Sequence, residues 1–184
     1  MTKFYFVRHG QSEANAALIV ASSTPPLTEN GIKQARRTGE ELKDKNVAII
    51  LTSPYIRAQQ TAETIAGELA IGVNDIRIID ELRERGLGEC EGKPKDMEND
   101  RFFIIDAERG FESQQDLINR LQVAIEKIKK AVIETDGEVV VVGHSVSGFY
   151  LSQVAKGFTK FSEFEDYRHM NNADFIEVEI NKEL

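Results

Sequence analysis

Residues 138–142 read Glu-Val-Val-Val-Val and run straight into Gly143-His144-Ser145. A strand that is apolar on both faces cannot lie over water. It belongs at the centre of a parallel sheet with helices above and below. The rest of the chain supplies such a sheet and its covers. Lys3 to Arg8 (KFYFVR) reads as a further buried strand, Val47 to Leu51 as another, and Ile76 to Ile79 as a short one. Asp174 to Ile180 (DFIEVEI) alternates apolar and polar like an edge strand. Helical spacing predicts a helix from Thr28, its N-cap, to Leu42, with Ile32, Ala35, Gly39 and Leu42 on one face. A second helix is expected to open with Ser53 as N-cap and Pro54 at its first position, burying Ala58, Ala62, Ile65 and Leu69. A long one spans Ser113 to Glu134 with Leu117, Leu121, Ala124, Ile128 and Ala131 inward, and a last one runs from the end of the valine strand to Lys156. Glu81 to Gly92 is a polar, glycine-bearing loop, and 93–110 carries no clear pattern. Strand and helix alternate, which predicts an α/β three-layer sandwich: a mostly parallel central sheet, helices on both faces, and an antiparallel C-terminal edge strand. No repeat or linker divides the 184 residues. At ~150 residues per domain, residues 1–184 form a single domain.

Ligands of such sheets sit outside the carboxyl ends of the strands, where helix N-termini collect. Three strand ends carry reactive or charged residues there: Arg8-His9-Gly10, then Ser53-Pro54 with Arg57 a turn later, then Gly143-His144-Ser145. Either histidine alone reads as an ordinary strand-end residue. Two histidines and two arginines on one edge read as a site. Zinc needs three or four ligands, and the arginines would repel the cation, so no metal is expected. A cationic edge backed by helix N-termini suits an anion, most naturally phosphate. In such a pocket positive charge lowers a histidine from its ordinary pKa of ~6.5. Neutral His9 could then attack phosphorus and carry the phosphoryl group, with His144, Arg8 and Arg57 neutralising the transferring oxygens. A departing alkoxide still requires a proton, which a nearby carboxylic acid would supply. The Glu81–Gly92 loop offers Glu81, Glu84, Glu89 and Glu91, and spacing does not choose among them.

Five ordered segments carry a family resemblance. Arg8-His9-Gly10-Gln11-Ser12-Glu13-Ala14-Asn15 resembles the RHG(E/Q)(S/T)xxN signature of the histidine phosphatase superfamily. Leu27-Thr28-Glu29-Asn30-Gly31 with Gln34-Ala35 resembles its L-T-x-x-G-x-x-Q-A segment, and Ser53 to Ala62 its S-P-x-x-R-A-x-x-T-A helix. Leu82 to Gly92 is similar to L-x-E-x-x-x-G-x-W-E-G, and the match continues through Glu112-Ser113 and His144. The resemblance implies that His9 is the phosphorylated nucleophile and that Arg8, Arg57 and His144 form the phosphate pocket, with Asn15 and the backbone N–H of Ser145 helping. It implies Glu84 as proton donor. In the acid-phosphatase and phytase branch RHG is followed by x-R-x-P and the second histidine by aspartate; with Gln11-Ser12-Glu13 and Ser145 there instead, the chain resembles the phosphoglycerate mutase-like branch. Cys90 replaces an aromatic residue of the pattern, and Phe111 a glycine. The stretch between Gly92 and Glu112 is short and lacks the paired arginines of true mutases; Lys93, Lys95 and Arg101 read as solvated charges. The expectation is a metal-independent phosphatase without a cofactor, with a mutase-type phosphotransferase as the alternative.

Two other classes compete. Gly143-His144-Ser145-Val146-Ser147 nearly matches the nucleophile elbow G-x-S-x-G, which would make the chain a serine hydrolase using Ser145. Its fifth residue is serine, and His169 is the sole histidine downstream. A binding module for phosphorylated ligands is the other. His169, in the turn Arg168 to Asn172, reads as a loop residue and Cys90 as structural.

Composition bounds the partners. Against 31 acidic residues stand 23 basic ones, a net charge of −8, which disfavours nucleic acid. No apolar run approaches the ~20 residues of a membrane span, and Met-Thr-Lys-Phe-Tyr-Phe-Val lacks the pattern of a signal peptide. One cysteine suggests a reducing compartment and a cytoplasmic location. The expected partner is a small phosphorylated metabolite, with a phosphoprotein as the other candidate; the oligomeric state is not readable.

Overall fold

The computed structural model describes residues 2–95, 110–166 and 170–181. Five strands form one sheet: β1 (Lys3–Arg8), β2 (Val47–Thr52), β3 (Ile76–Ile78), β4 (Glu138–Gly143) and β5 (Phe175–Glu179). Their order is β3-β2-β4-β1-β5. The first four run parallel, and β5 pairs antiparallel with β1 at the edge. The valine strand β4 lies in the middle, as its two apolar faces require.

The alternation of side chains splits the core in two. Phe4, Phe6, Val139 and Val141 face one side with Leu117, Leu121, Ile128 and Leu151. Tyr5, Val7, Val140 and Val142 face the other with Leu42, Ala58, Ala62 and Ile65. The first layer is built by α4 (Gln114–Glu134) and α5 (Ser145–Ala155), the second by α2 (Glu29–Glu41) and α3 (Ile56–Leu69). This is the expected three-layer sandwich.

Two local expectations are corrected, and one element is added. A short helix α1 (Glu13–Ala16) follows β1, with Ser12 and Asn15 forming a capping box; four residues are too few to show a period. Ile32 is exposed, whereas Thr38 is buried and donates to the Ala173 carbonyl at 2.6 Å. Helix α3 begins at Ile56 with Tyr55, not Ser53, as its N-cap. The Ser53 hydroxyl is engaged by His144 Nε2 at 2.7 Å, a partner distant in sequence, and accepts from the Tyr55 N–H at 3.3 Å, while the chain bends at Pro54 and Tyr55 before the helix starts.

The three central strands β2, β4 and β1 end at one edge. Beyond them the ladder continues, with the His9 N–H donating to Gly143 O at 2.9 Å and the Ser53 N–H to Val142 O at 3.0 Å. Arg8-His9, Ser53 and His144 are thereby fixed side by side by backbone.

Candidate active site

His9 is 4% exposed, and its two ring nitrogens have different partners. Nδ1 lies 2.7 Å from the carbonyl of Gly10. A carbonyl only accepts, so Nδ1 carries the proton. Nε2 receives the Nε–H of Arg57 at 3.2 Å, so Nε2 holds a lone pair. Burial first, then the charge of Arg57, holds His9 well below the ordinary imidazole value; Arg8 and Lys95 add to this, and the bond to Gly10 opposes it. His9 is thus a neutral Nδ1–H imidazole.

Two glycines make this placement. A Cβ on Gly10 would stand 2.4 Å from the Gly31 carbonyl oxygen, and one on Gly31 would stand 2.1 Å from that of Gln11. The chain after β1 therefore lies flat against the first turn of α2. Side chains of two motif segments hold it there. Gln34 Oε1 accepts from the Gln11 N–H at 2.8 Å, Thr61 Oγ1 accepts from the Gly10 N–H at 3.1 Å, and Thr28 Oγ1 donates to Gln11 Oε1 at 2.9 Å.

Arg57 is 2% exposed and projects from the first turn of α3. Besides His9 it donates to the Ser22 carbonyl at 2.5 Å, and its guanidinium lies over the Tyr55 ring at 5.1 Å. Among the described residues no carboxylate lies within ion-pair distance of it. A guanidinium this buried, with Glu84 and Glu91 felt only at a distance, favours an anion beside it. Arg8, also buried, donates to the Met170 carbonyl.

His144 is fully buried, its ring 5.2 Å from that of His9 and 5.1 Å from that of Tyr55. Burial, then Arg57, His9 and Arg8, hold it too well below the ordinary value. It is the N-cap of α5, and it caps nothing with its side chain. That task falls to Glu84. Its Oε2 accepts from the Val146 N–H at 3.2 Å, and its Oε1 from the Ser147 N–H at 2.7 Å and the Arg85 N–H at 2.9 Å. Of the four loop glutamates this one reaches the helix N-terminus beside His144. Glu81 instead pairs with Lys127 at 2.6 Å, and Glu91 accepts from the Leu87 N–H at 3.2 Å.

Asn15 spends its side-chain oxygen on Ser12 and on Asn172, the latter at 3.3 Å, which leaves its NH₂ as the group it can offer an anion. Ser145 opens α5 at the same edge. The structure therefore gathers Arg8, His9, Arg57, His144, Glu84, Asn15 and Ser145 around the ends of the three central strands. Lys95, expected as a solvated charge, is half-buried, and its charge is felt at His9. Cys90 is half-buried in the turn Gly88–Cys90. Arg101 and His169 lie outside the described residues. Among those described, no three His, Cys, Asp or Glu groups are placed to hold a metal ion, and no helix is long and apolar enough to cross a membrane.

Two participants were not assigned their roles from sequence. Ser53 orients His144, and its motif position suggested only a helix cap. Asn172 donates to the His9 carbonyl at 3.0 Å and to Asn15, from a stretch whose sequence is that of any polar turn.

The model of the histidine phosphatase superfamily (branch 1) matches residues 4–183. The chain belongs to that superfamily. Among its curated relatives, a protein of Bacillus subtilis named uncharacterized phosphatase PhoE is 32% identical over 80% of this chain and 74% of its own length. A probable phosphoglycerate mutase, GpmB of Photorhabdus laumondii, is also 32% identical, over 80% of this chain and 71% of its own. Among solved structures, Bacillus stearothermophilus YhfR superposes with a TM-score of 0.78 at 27% identity, covering 99% of this chain and 93% of that one. A mycobacterial glucosyl-3-phosphoglycerate phosphatase in complex with VO3 shares the fold, with a TM-score of 0.82 at 22% identity over 96% of this chain and 90% of that one. Histidine-based phosphoryl transfer is the general mechanism of the superfamily, and its members are phosphatases or mutases.

Proposed function

We propose that this member of the superfamily is a metal-independent phosphomonoester hydrolase of small phosphorylated metabolites. The observation that carries the reading is the pair of hydrogen bonds at His9, which leave a neutral imidazole with its proton on Nδ1 and a lone pair on Nε2. That lone pair attacks phosphorus, the N–P bond forms, and the bond from phosphorus to the ester oxygen breaks. Arg57 lies against the attacking nitrogen. Arg8, His144, the Asn15 NH₂ and the Ser145 N–H complete a cradle for the three transferring oxygens. The ester oxygen leaves with a proton from Glu84. In the second step water attacks phosphorus, its proton passes to the Glu84 carboxylate, and the N–P bond breaks to return neutral His9 and free phosphate.

Hydrolysis rather than transfer to a second acceptor is supported by the sequence between Gly92 and Glu112, which carries no paired arginines for a second acidic group. The mutase reading has its own support in the relative that carries that name. A screen of phosphorylated metabolites that includes a mutase assay separates the two. Hydrolysis of p-nitrophenyl phosphate should survive a chelator, and absolute metal dependence would refute the histidine route. The serine-hydrolase reading has less to stand on. Ser145 is not among the residues with a strained positive φ, which a nucleophile elbow would require.

A further inference from the structure

Arg120 stands where a hydrophobic residue would be expected. It lies on the face of α4 that carries Leu117, Leu121 and Ala124 into the core, and only 9% of it is exposed. A guanidinium in that position must have every N–H satisfied. One side of the fork meets Glu112, with Nε donating to Oε1 at 2.7 Å and one terminal nitrogen to Oε2 at 2.6 Å. The rest is spent on backbone. It donates to the carbonyls of Glu81 at 2.5 Å, Arg83 at 3.0 Å and Glu84 at 3.5 Å. Glu112 secures the other flank: its Oε2 accepts from the Gly86 N–H at 3.2 Å, its own N–H donates to Gly86 O at 2.9 Å, and its carbonyl accepts from Arg85 Nε at 2.9 Å.

We infer that Arg120, neutralised by Glu112, is the positioning residue for the proton donor, and the inference rests on the reading of Glu84 as that donor. Glu84 belongs to no helix or strand, so no ladder fixes its backbone. The Arg120–Glu112 pair takes that place, binding the loop at residues 81, 83, 84 and 86. The Glu84 side chain then has two settings available from one fixed Cα. In the first it accepts from the N–H groups of Val146 and Ser147. In the second it turns to the ester oxygen to deliver its proton. Arg120 touches neither ester nor phosphate. It acts by holding the origin of that swing to the few tenths of an ångström that proton transfer tolerates. Lysine cannot replace it, because a single ammonium cannot bridge a bidentate carboxylate and three carbonyls.

The dependence on leaving group separates positioning from mere folding. A nitrophenolate leaves without a proton, whereas an alkoxide does not. Single-turnover phosphorylation of His9 is measured for Arg120→Lys, Glu112→Gln and Glu84→Gln, with 2,4-dinitrophenyl, p-nitrophenyl, phenyl and simple alkyl phosphates. Glu84→Gln is expected to slow alkyl esters by about a hundredfold or more and 2,4-dinitrophenyl phosphate by little. Arg120→Lys should show the same selectivity at about tenfold or more, and Glu112→Gln the same at smaller amplitude. Equal loss across the series in both Arg120→Lys and Glu112→Gln, with Glu84→Gln selective, would overturn the positioning role and leave the donor intact. A flat series in Glu84→Gln would overturn the donor itself, and the inference with it. Should Arg120→Lys fail to fold, Glu112→Gln alone decides the matter.

Discussion

Burial and the charge of Arg57 hold His9 and His144 well below the ordinary imidazole value of 6.5, and this gives pH dependence a definite sign. Below pH 6.5 an unfolded chain takes up protons that these two folded imidazoles refuse. The unfolded state then binds more protons, so stability is fully present above 6.5 and declines as the pH falls below it. NMR titration of the imidazole carbons should find both rings neutral at pH 6.5, and either ring titrating at or above that value would contradict the electrostatics. A bound phosphate supplies the missing negative charge and should raise both values. At the same scale, Ser145→Ala should retain most of the activity. His9→Ala should lose about a thousandfold or more in steady-state kcat/KM.

Among the elements, the contact between the chain after β1 and the first turn of α2 governs the geometry of the nucleophile. Gly31→Ala would drive a methyl group into the Gln11 carbonyl. Stability should fall by about 1–3 kcal/mol, measured by urea unfolding, and kcat should fall with it because Gly10 and His9 move. The strands and main helices were legible because burial imposes their periods: β1 spans Lys3–Arg8 as read, Thr28 caps α2 as expected, and α4 begins directly after Ser113. What was not legible depended on partners far along the chain. Ser53 looked like a cap until its hydroxyl found His144, and the buried stripe of α2 takes in Thr38, whose hydroxyl meets the Ala173 carbonyl. The choice of Glu84 among four loop glutamates was open to spacing and came only from resemblance. The loop hangs from Arg120, which a helical pattern reads as an interruption of the apolar face.

Over the whole molecule the net charge of −8 surrounds a local reversal, with Arg8, Arg57 and two histidines buried at one sheet edge. Such a surface does little to steer an anionic substrate from a distance, so binding depends on short-range contacts inside the pocket. Raising the concentration of sodium chloride should lower kcat/KM only modestly, while phosphate or sulfate should compete directly. A steep decline with chloride would show that long-range attraction matters after all. Inorganic phosphate should raise the thermal midpoint in proportion to the logarithm of its concentration above Kd. The proposed mechanism has a phosphoryl group resting on His9 during turnover. Rapid acid-free quench of a labelled substrate, followed by mapping of acid-labile phosphate, tests it most directly. Label is expected on His9 within the first turnover and none in His9→Ala. Turnover with no acid-labile phosphate on the chain, or full activity in His9→Ala, would contradict it.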